Sequence, residues 1–214
     1  MDSWDHLLKK DKNIQEDVMR KLSLYTAWSA MCYFALTGLQ AHAMTVRQIE
    51  KTYHAGLIYA SQHSGIPPRV LAAVIYLESS GDPRARSSSG AIGLMQLRPR
   101  SGGFMGYLTY SGKPIVPSDE YLLDWWNNIV IGASYLAYLE KHYFNGYPSK
   151  VRLALALAAY NFGVTNVVRA LKESEQPPEN ISAAFSWMKT RLPARVADYV
   201  CKVFALARAS KMPQ

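Results

Sequence analysis

One carboxylate in this sequence stands where its proton would be hard to remove. Glu78 follows the apolar run of residues 70–77, and a helix that is apolar on every side is expected to be buried. Val70, Val74 and Glu78 recur at a spacing of four residues, so the carboxylate should project from the same side as core valines. Burial and the negative end of a helix both favour the neutral acid, which is what a general acid requires near neutral pH. The alternative is a glutamate that caps the helix edge and points into water.

A second carboxylate to work with Glu78 is not evident. Standard glycosidases use two carboxylates, whereas residues 44–214 hold eleven acidic residues, few of them near a recognisable motif. Asp82 precedes Pro83 in a polar turn and is better explained as a turn-forming residue. Asp198 precedes Tyr199 on a predicted helix, so these two side chains point in different directions. The residues therefore predict an acid without an acidic partner.

Other chemistries lack the residues that they need. His54, His63 and His142 have no metal-ligand spacing, and the chain has no HExxH, GxSxG, Walker or GxGxxG motif. We therefore expect no metal and no cofactor. Cys201 is the only cysteine after residue 43, so residues 44–214 cannot form an internal disulfide, and its apolar helical surroundings predict a small core residue.

Several blocks around and after Glu78 carry a family resemblance. The order and spacing of these blocks match those of a known family signature. The blocks are Glu78-Ser79, Ser87, the stretch GAIGLMQL at 90–97, Asn128-Ile129 with Gly132, Tyr135 and Leu136, and AYNFG at 159–163. These blocks resemble the soluble-type (SLT) lytic transglycosylases, which share the goose-type lysozyme fold. The resemblance covers about residues 56–207 and implies an all-α, lysozyme-like single domain.

The resemblance implies an activity that needs one glutamate. As acid, Glu78 would protonate the oxygen between N-acetylmuramic acid and N-acetylglucosamine, while the muramic acetamido group supports the developing charge. As base, it would then take the proton of the same sugar's C6 hydroxyl, whose attack on C1 forms a 1,6-anhydro end without consuming water.

By position in the motifs, six further residues are implied to bind substrate: Ser87, Met95, Gln96, Tyr160, Asn161 and Tyr199. Ser87 would bond the acetamido group, and Gln96 with Met95 would line the cleft. Tyr160 and Asn161 would hold the sugar or the acid, and Tyr199 would steady the transition state or Glu78. Met95 and Tyr160 could equally be core residues, Asn161 could cap a break between helices, and Ser87 is one of three consecutive serines.

The sequence departs from the family pattern near its end. The family often carries Glu-Thr before the final Tyr-Val, but Arg195 and Val196 occupy those positions here. The departure removes an acidic neighbour of Tyr199. The small endo-acting, membrane-bound branch of the family likewise lacks Glu-Thr, and this chain also resembles that branch.

Residues 1–43 differ from the rest and look like a targeting segment. Arg20-Lys21 precede an apolar stretch, Ala41-His42-Ala43 fits a cleavage site, and Met19 would begin a leader of ordinary length. An uncleaved membrane anchor is the alternative, which the Ser, Thr and Tyr content disfavours. We expect a signal peptide at 1–43 and a catalytic domain at 44–214, exported to the periplasm or cell envelope, with membrane contact only if the leader is retained.

Charge points to an anionic partner. Residues 1–43 hold five basic and five acidic residues, so the formal net charge of +8 lies entirely in 44–214. A basic exported domain suits peptidoglycan, whose peptides are anionic. Nucleic acid is the rival, but the chain has no basic helix with interleaved aromatics, no zinc-finger spacing and no RNP-like strand.

Hydrophobic periodicity and breakers predict helices over 45–64, 67–80, 118–142, 151–160 and 164–173, a segment that begins at Pro177-Pro178, and a last helix from Pro193. The last helix would bury Val196, Tyr199, Val200, Val203 and Leu206. Residues 98–118 are rich in Gly, Pro and aromatics and predict a functional or mobile loop.

Three functional hypotheses follow. The first is a peptidoglycan lytic transglycosylase, a carbon–oxygen lyase, that opens the wall locally for a secretion, conjugation or pilus machine. The second is a lysozyme-like muramidase that uses water. The third is a non-catalytic component that binds peptidoglycan during assembly.

Overall fold

The structure is a computed structural model that describes residues 43–210 and residue 212. The predicted leader, apart from Ala43, lies outside the described residues. The described residues form ten α-helices and one π-helical turn, Pro99–Gly103, which are joined by loops. The helices are α1 Val46–Thr52, α2 His54–Ser64, α3 Pro68–Ser79, α4 Phe104–Ser111, α5 Asp119–Leu123, α6 Trp125–Tyr143, α7 Ser149–Phe162, α8 Val164–Lys172, α9 Ile181–Arg191 and α10 Ala194–Ala209. Within these residues the extended pairing is limited to two isolated bridges, Arg86 with Ile92 and Ile92 with Leu97, which confirms the all-α prediction.

Helix α3 is the central element. Pro68 begins it, Ser80 ends it in the left-handed conformation, and residues 70–75 are buried on all sides. It packs against α1, α2 and α10. The apolar run therefore forms the buried helix that its composition predicts. Glu78, near the end of this helix, lines the cavity described below.

The predicted helix over 45–64 is two helices. Thr45 caps α1 through a capping box with Gln48, and Gly65 ends α2 in the left-handed conformation as expected. The break falls at Tyr53, whose buried hydroxyl donates to Gly81 O at 3.0 Å. This bond ties the break to the turn that follows α3, a contact that the local pattern does not contain.

Residues 98–118 are not simply a loop, so that prediction was wrong in part. They form the π-helical turn and α4 before an extended stretch leads to Ser118. Helix α4 packs on α6, and Gly106 makes this possible because a Cβ there would overlap the Ile131 carbonyl oxygen. Gly106, one of the glycines that suggested a loop, instead permits close helix packing.

The helix predicted from 118 to 142 is also divided. The Ser118 side chain caps α5 by accepting from Tyr121 N–H, and the Asp124 side chain caps α6 by accepting from Asn127 N–H. Two capping residues six positions apart thus start two helices rather than one.

The C-terminal half follows the prediction more closely. Gly163, with φ near +90°, separates α7 from α8, and α10 buries Val196, Tyr199, Val200 and Val203 with Leu206 partly covered. Helix α10 packs on both α3 and α7. Cys201 is partly exposed, so its assignment to the core was wrong.

Candidate active site

A cavity of about 530 Å³ opens where the ends of α3, α7 and the start of α10 meet the loop after α3. Its lining comes from these elements, from the π-helical turn and from α6. The lining residues are Glu78, Ser87, Ser89, Ala91, Gln96, Leu97, Arg98, Ser101, Gly102, Tyr135, Tyr160, Asn161, Phe162, Gly163 and Arg195. Four of the predicted site residues besides Glu78 therefore share one cavity.

Glu78 lies in the last turn of α3 and is partly buried at the cavity wall. Its Oε1 accepts a hydrogen bond from the Tyr199 hydroxyl at 2.8 Å. Burial raises the pKa of Glu78 from its ordinary value of 4.5 to about 7, and the Tyr199 hydrogen bond opposes that rise because it favours the carboxylate. Glu78 can therefore give up and regain a proton near neutral pH.

Tyr199 lies on α10 and is buried. Burial, and then the adjacent Glu78, hold the pKa of its hydroxyl well above the ordinary value of 10. Tyr199 therefore acts as a neutral hydrogen-bond donor to the acid. The contact joins residues 121 positions apart in the chain.

The loop from Ala85 to Leu97 forms the cavity wall beside Glu78. The Ser87 hydroxyl oxygen accepts from Ala91 N–H at 2.9 Å and lies 3.0 Å from the Ser89 hydroxyl oxygen. Gln96 has an unusual positive φ of 48°, and its Nε2 donates to Ala85 O at 3.2 Å and Gly93 O at 3.1 Å. These bonds engage the amide nitrogen, so its oxygen is the group that can accept from a ligand.

Met95 does not line the cavity, contrary to the expectation for its side chain. The side chain is completely buried and packs against Gly132 of α6. Its main chain serves the site instead, because Met95 O accepts from the Tyr160 hydroxyl at 2.6 Å. An apolar thioether is more stable in the core, while the peptide groups on either side hold the loop.

Asn128 is the residue that anchors this loop, and its role was missed from the sequence. It is completely buried in α6; its Oδ1 accepts from Met95 N–H at 2.8 Å, and its Nδ2 donates to Leu122 O at 2.7 Å and Ile92 O at 3.0 Å. An asparagine inside an apolar helical run was the available signal, since a buried amide requires partners.

Asn161 and Tyr160 lie at the end of α7 and both face the cavity. The Oδ1 of Asn161 is buried and accepts no hydrogen bond from any described residue. A buried carbonyl oxygen without a donor is costly, so a ligand N–H or O–H could satisfy it. Tyr135, whose ring centroid lies 5.5 Å from that of Tyr160, extends the aromatic wall and was likewise not assigned to the site from the sequence.

Glu78 is the only acidic residue among the described residues that line the cavity. Asp82 Oδ1 accepts from Arg84 N–H at 2.8 Å, which confirms its role in the turn, and Asp198 is exposed on α10. In the part of the chain that the structure describes, no three His, Cys, Asp or Glu side chains are placed to hold a metal ion. The arrangement can do acid and base chemistry through one carboxyl group.

The Transglycosylase SLT domain family matches residues 56–192, and the chain belongs to this family. Among curated relatives, the membrane-bound lytic murein transglycosylase E of Buchnera aphidicola is 34% identical over 116 residues, which are 54% of this chain and 52% of that protein. The membrane-bound lytic murein transglycosylase C of Haemophilus influenzae is 40% identical over 112 residues, 51% of this chain and 31% of that protein. The matched region thus spans from about a third to half of the length of these relatives.

Solved structures share the fold. The lytic transglycosylase Slt of Pseudomonas aeruginosa, determined as an inactive mutant with one glutamate replaced by glutamine, superposes with a TM-score of 0.61 and 25% identity over 87% of this chain and 28% of that one. The 70 kDa soluble lytic transglycosylase of Escherichia coli gives a TM-score of 0.58 and 26% identity over 75% of this chain and 25% of that one. Within residues 43–210, no helix combines the length and apolarity that crossing a bilayer would need.

Proposed function

We propose that this protein is a peptidoglycan lytic transglycosylase that cleaves the β-1,4 bond between N-acetylmuramic acid and N-acetylglucosamine and leaves a 1,6-anhydro end. Family membership and the names of the relatives support the substrate and the reaction class. The observation that carries the proposal is Glu78, a cavity-lining carboxyl with its pKa raised to about 7 and with a tyrosine donor on it.

The chemistry that we propose begins with proton donation. Glu78, protonated, gives its proton to the bridging oxygen as the bond from that oxygen to C1 of the muramic sugar breaks. The oxygen of the muramic acetamido group supports C1 as positive charge develops there. A second carboxylate is not needed for this step, which agrees with a cavity whose described lining holds one acid.

The second step returns the proton. Glu78, now a carboxylate, takes the proton of the muramic C6 hydroxyl while O6 forms the new bond to C1 and the acetamido oxygen is released. The nucleophile belongs to the bound sugar, so its effective concentration far exceeds that of a free reactant. The acid is regenerated and no water enters the products.

The surrounding residues have roles that follow from their free groups. The unpartnered Oδ1 of Asn161 and the free amide oxygen of Gln96 are acceptors for sugar hydroxyls or an acetamide N–H. Ser87 can donate its hydroxyl to the acetamido oxygen, and Tyr199 steadies Glu78 in both protonation states. Tyr160 holds the loop through Met95 O while its ring forms part of the wall.

The decisive experiment is digestion of purified sacculi with the wild-type protein and with Glu78→Gln, followed by mass spectrometry of the soluble products. We expect anhydro ends, each one water lighter than a hydrolysed end, and a fall of roughly a hundredfold or more in their rate for Glu78→Gln. Asp198→Asn, the same acid-to-amide change on the exposed face of α10, is the matched control and should retain the wild-type rate.

The two alternatives give different products. Reducing ends alone would identify a muramidase that uses water and would refute the transglycosylase. Binding to sacculi without product release, unchanged by Glu78→Gln, would identify a non-catalytic assembly component.

We further propose that the protein works in the periplasm or cell envelope and makes local openings for a secretion, conjugation or pilus machine. The leader-like residues 1–43 and the names of the membrane-bound relatives support the location. A chromosomal Glu78→Gln change should reduce secretion or pilus assembly as much as deletion does. Normal assembly in that strain would refute the role in the machine and leave the enzymatic proposal intact.

A further inference from the structure

Two arginines face the same cavity as Glu78. Arg195 lies in the first turn of α10, and its Cζ stands 5.3 Å from the ring centroid of Phe162, which also lines the cavity. Arg98 lines the same cavity and follows directly after the loop that holds Gln96. The contact with the ring is a cation–π interaction, and both arginines are exposed at the cavity surface.

Neither guanidinium is neutralised by a described carboxylate. The ion pairs within residues 43–210 join Arg86 to Asp119 at 2.7 Å and Arg152 to Glu140 at 2.8 Å. Glu78, the one acid of the described lining, has its pKa raised and is largely neutral in mildly acidic solution. The cavity therefore carries positive charge that its own wall does not balance.

The positive lining continues beyond the cavity. A second cavity of about 760 Å³ shares Ser89, Arg98 and Ser101 with the first and adds Arg100. Its acidic residue, Asp119, is already paired with Arg86. A ligand that lies along both cavities would thus meet Arg195, Arg98 and Arg100, none of which is paired with a described carboxylate.

Helix stability does not explain Arg195. A cation in the first turn of a helix opposes the helix dipole, which favours acids at that end. A cation that is unfavourable for its own helix and lines the cavity is better explained by what the cavity binds.

We propose that Arg195, assisted by Arg98, binds a carboxylate that the muramic residue carries as its lactyl acid or on the peptide attached through the lactyl group, and so makes the site selective for acidic glycan strands. This inference rests on the proposed function for its substrate. The carboxylate has two possible sources: the peptide stem, where the lactyl group is amidated, or the free lactyl acid, where an amidase has removed the stem. Arg can form two parallel hydrogen bonds to either carboxylate.

The test measures binding in the Glu78→Gln background, so that it does not depend on turnover. Soluble glycan strands are prepared in three forms: with peptide stems, with stems removed by an amidase, and with all carboxylates converted to neutral methylamides. The variants are Arg195→Gln, Arg195→Lys and, as the matched control at the far end of the same helix, Arg208→Gln.

We expect Arg195→Gln to weaken binding of the acidic strands by about tenfold, with partial recovery in Arg195→Lys, and to leave the neutral strands unaffected. Arg208→Gln should bind all three forms as the parent does. The acidic form that loses affinity identifies the source of the carboxylate. Equal losses on acidic and neutral strands, or equal effects of Arg195→Gln and Arg208→Gln, would overturn the inference.

The same variants in the active protein give a second readout. Arg195 is not among the groups that shift the pKa of Glu78, so Arg195→Gln should raise KM on acidic strands and leave the pH dependence of kcat in place. A wild-type protein that yields no anhydro ends refutes the proposed function, whereas retained anhydro ends with no preference for acidic strands refute this inference alone.

Discussion

At the scale of single residues, the proton on Glu78 is governed by two opposing influences. Burial favours the neutral acid, while the Tyr199 hydroxyl at 2.8 Å favours the carboxylate. Their balance leaves the pKa at about 7, where one group can serve first as acid and then as base. The Glu78–Tyr199 pair should therefore affect both activity and stability.

The first prediction concerns pH dependence. If the protonated acid starts the reaction, kcat/KM should fall above about pH 7. Tyr199→Phe removes the hydrogen bond that lowers the pKa of Glu78, so the alkaline limb should move to higher pH by up to about one unit, while kcat falls. This is checked by measuring kcat/KM across the neutral pH range. Tyr76→Phe, the same change at another tyrosine, on α3 near Glu78, is the control. A limb that stays in place in Tyr199→Phe would contradict it.

The second prediction concerns stability, and its sign follows from the raised pKa. Well below pH 4.5 Glu78 is protonated in both the folded and unfolded states, so folding carries no penalty from its ionisation. As pH rises towards 7, the unfolded state ionises first, and folding loses up to about 3 kcal/mol. Glu78→Gln should therefore match the wild type at about pH 3.5 and exceed it in free energy of unfolding at about pH 8.

Denaturant titrations of the wild type and Glu78→Gln at the two pH values measure this difference. Asp198→Asn supplies the control for a general change in charge, because Asp198 is exposed on α10. A gap between wild type and Glu78→Gln that does not depend on pH would contradict the burial of the acid.

At the scale of elements, Asn128 joins α6 to the loop that forms the cavity wall. Its amide makes three buried hydrogen bonds, to Met95 N–H, Ile92 O and Leu122 O. Gln96 of this loop lines the cavity, and Met95 O of the same loop accepts a hydrogen bond from the Tyr160 hydroxyl. One side chain of α6 therefore sets the position of residues from two other elements.

Asn128→Ala leaves these backbone groups without partners and should lower the free energy of unfolding by about 2–4 kcal/mol. We also expect kcat to fall, because the loop beside Glu78 loses its anchor. Asn127→Ala, on the neighbouring and partly exposed position, should change stability by no more than about 0.5 kcal/mol. Denaturant unfolding and the rate of product release measure both effects; equal stability of the two variants would refute the anchoring role.

At the scale of the described domain, the site exists because distant segments meet. The Glu78–Tyr199 bond spans 121 positions and the Tyr160–Met95 bond spans 65. Helix α10 packs on α3 and α7, so it brings Arg195 to the cavity and Tyr199 to Glu78, a residue from the first half of the chain. Deleting α10 would remove the donor to Glu78 and one wall of the cleft together.

Local pattern was enough wherever one element determines the outcome. The apolar run before Glu78 predicted a buried helix, and Gly81 with Pro83 predicted its end, because burial and helix termination depend on residues within that segment. The motif resemblance predicted the SLT family. Of the seven residues that it implied for the site, five line the cavity: Glu78, Ser87, Gln96, Tyr160 and Asn161. Tyr199 reaches the site through its hydrogen bond to Glu78 rather than through the wall itself.

Contacts between segments decided the rest. The break at Tyr53, the helix within 98–118 and the core position of the Met95 side chain all depend on partners far away in the chain, which periodicity cannot reveal. The same holds for the anchoring by Asn128 and the cleft position of Arg195. Composition and spacing thus identified the acid and its helix, whereas the groups that hold, tune and surround it became known only once the chain was folded, because their partners are neighbours in space and not in sequence.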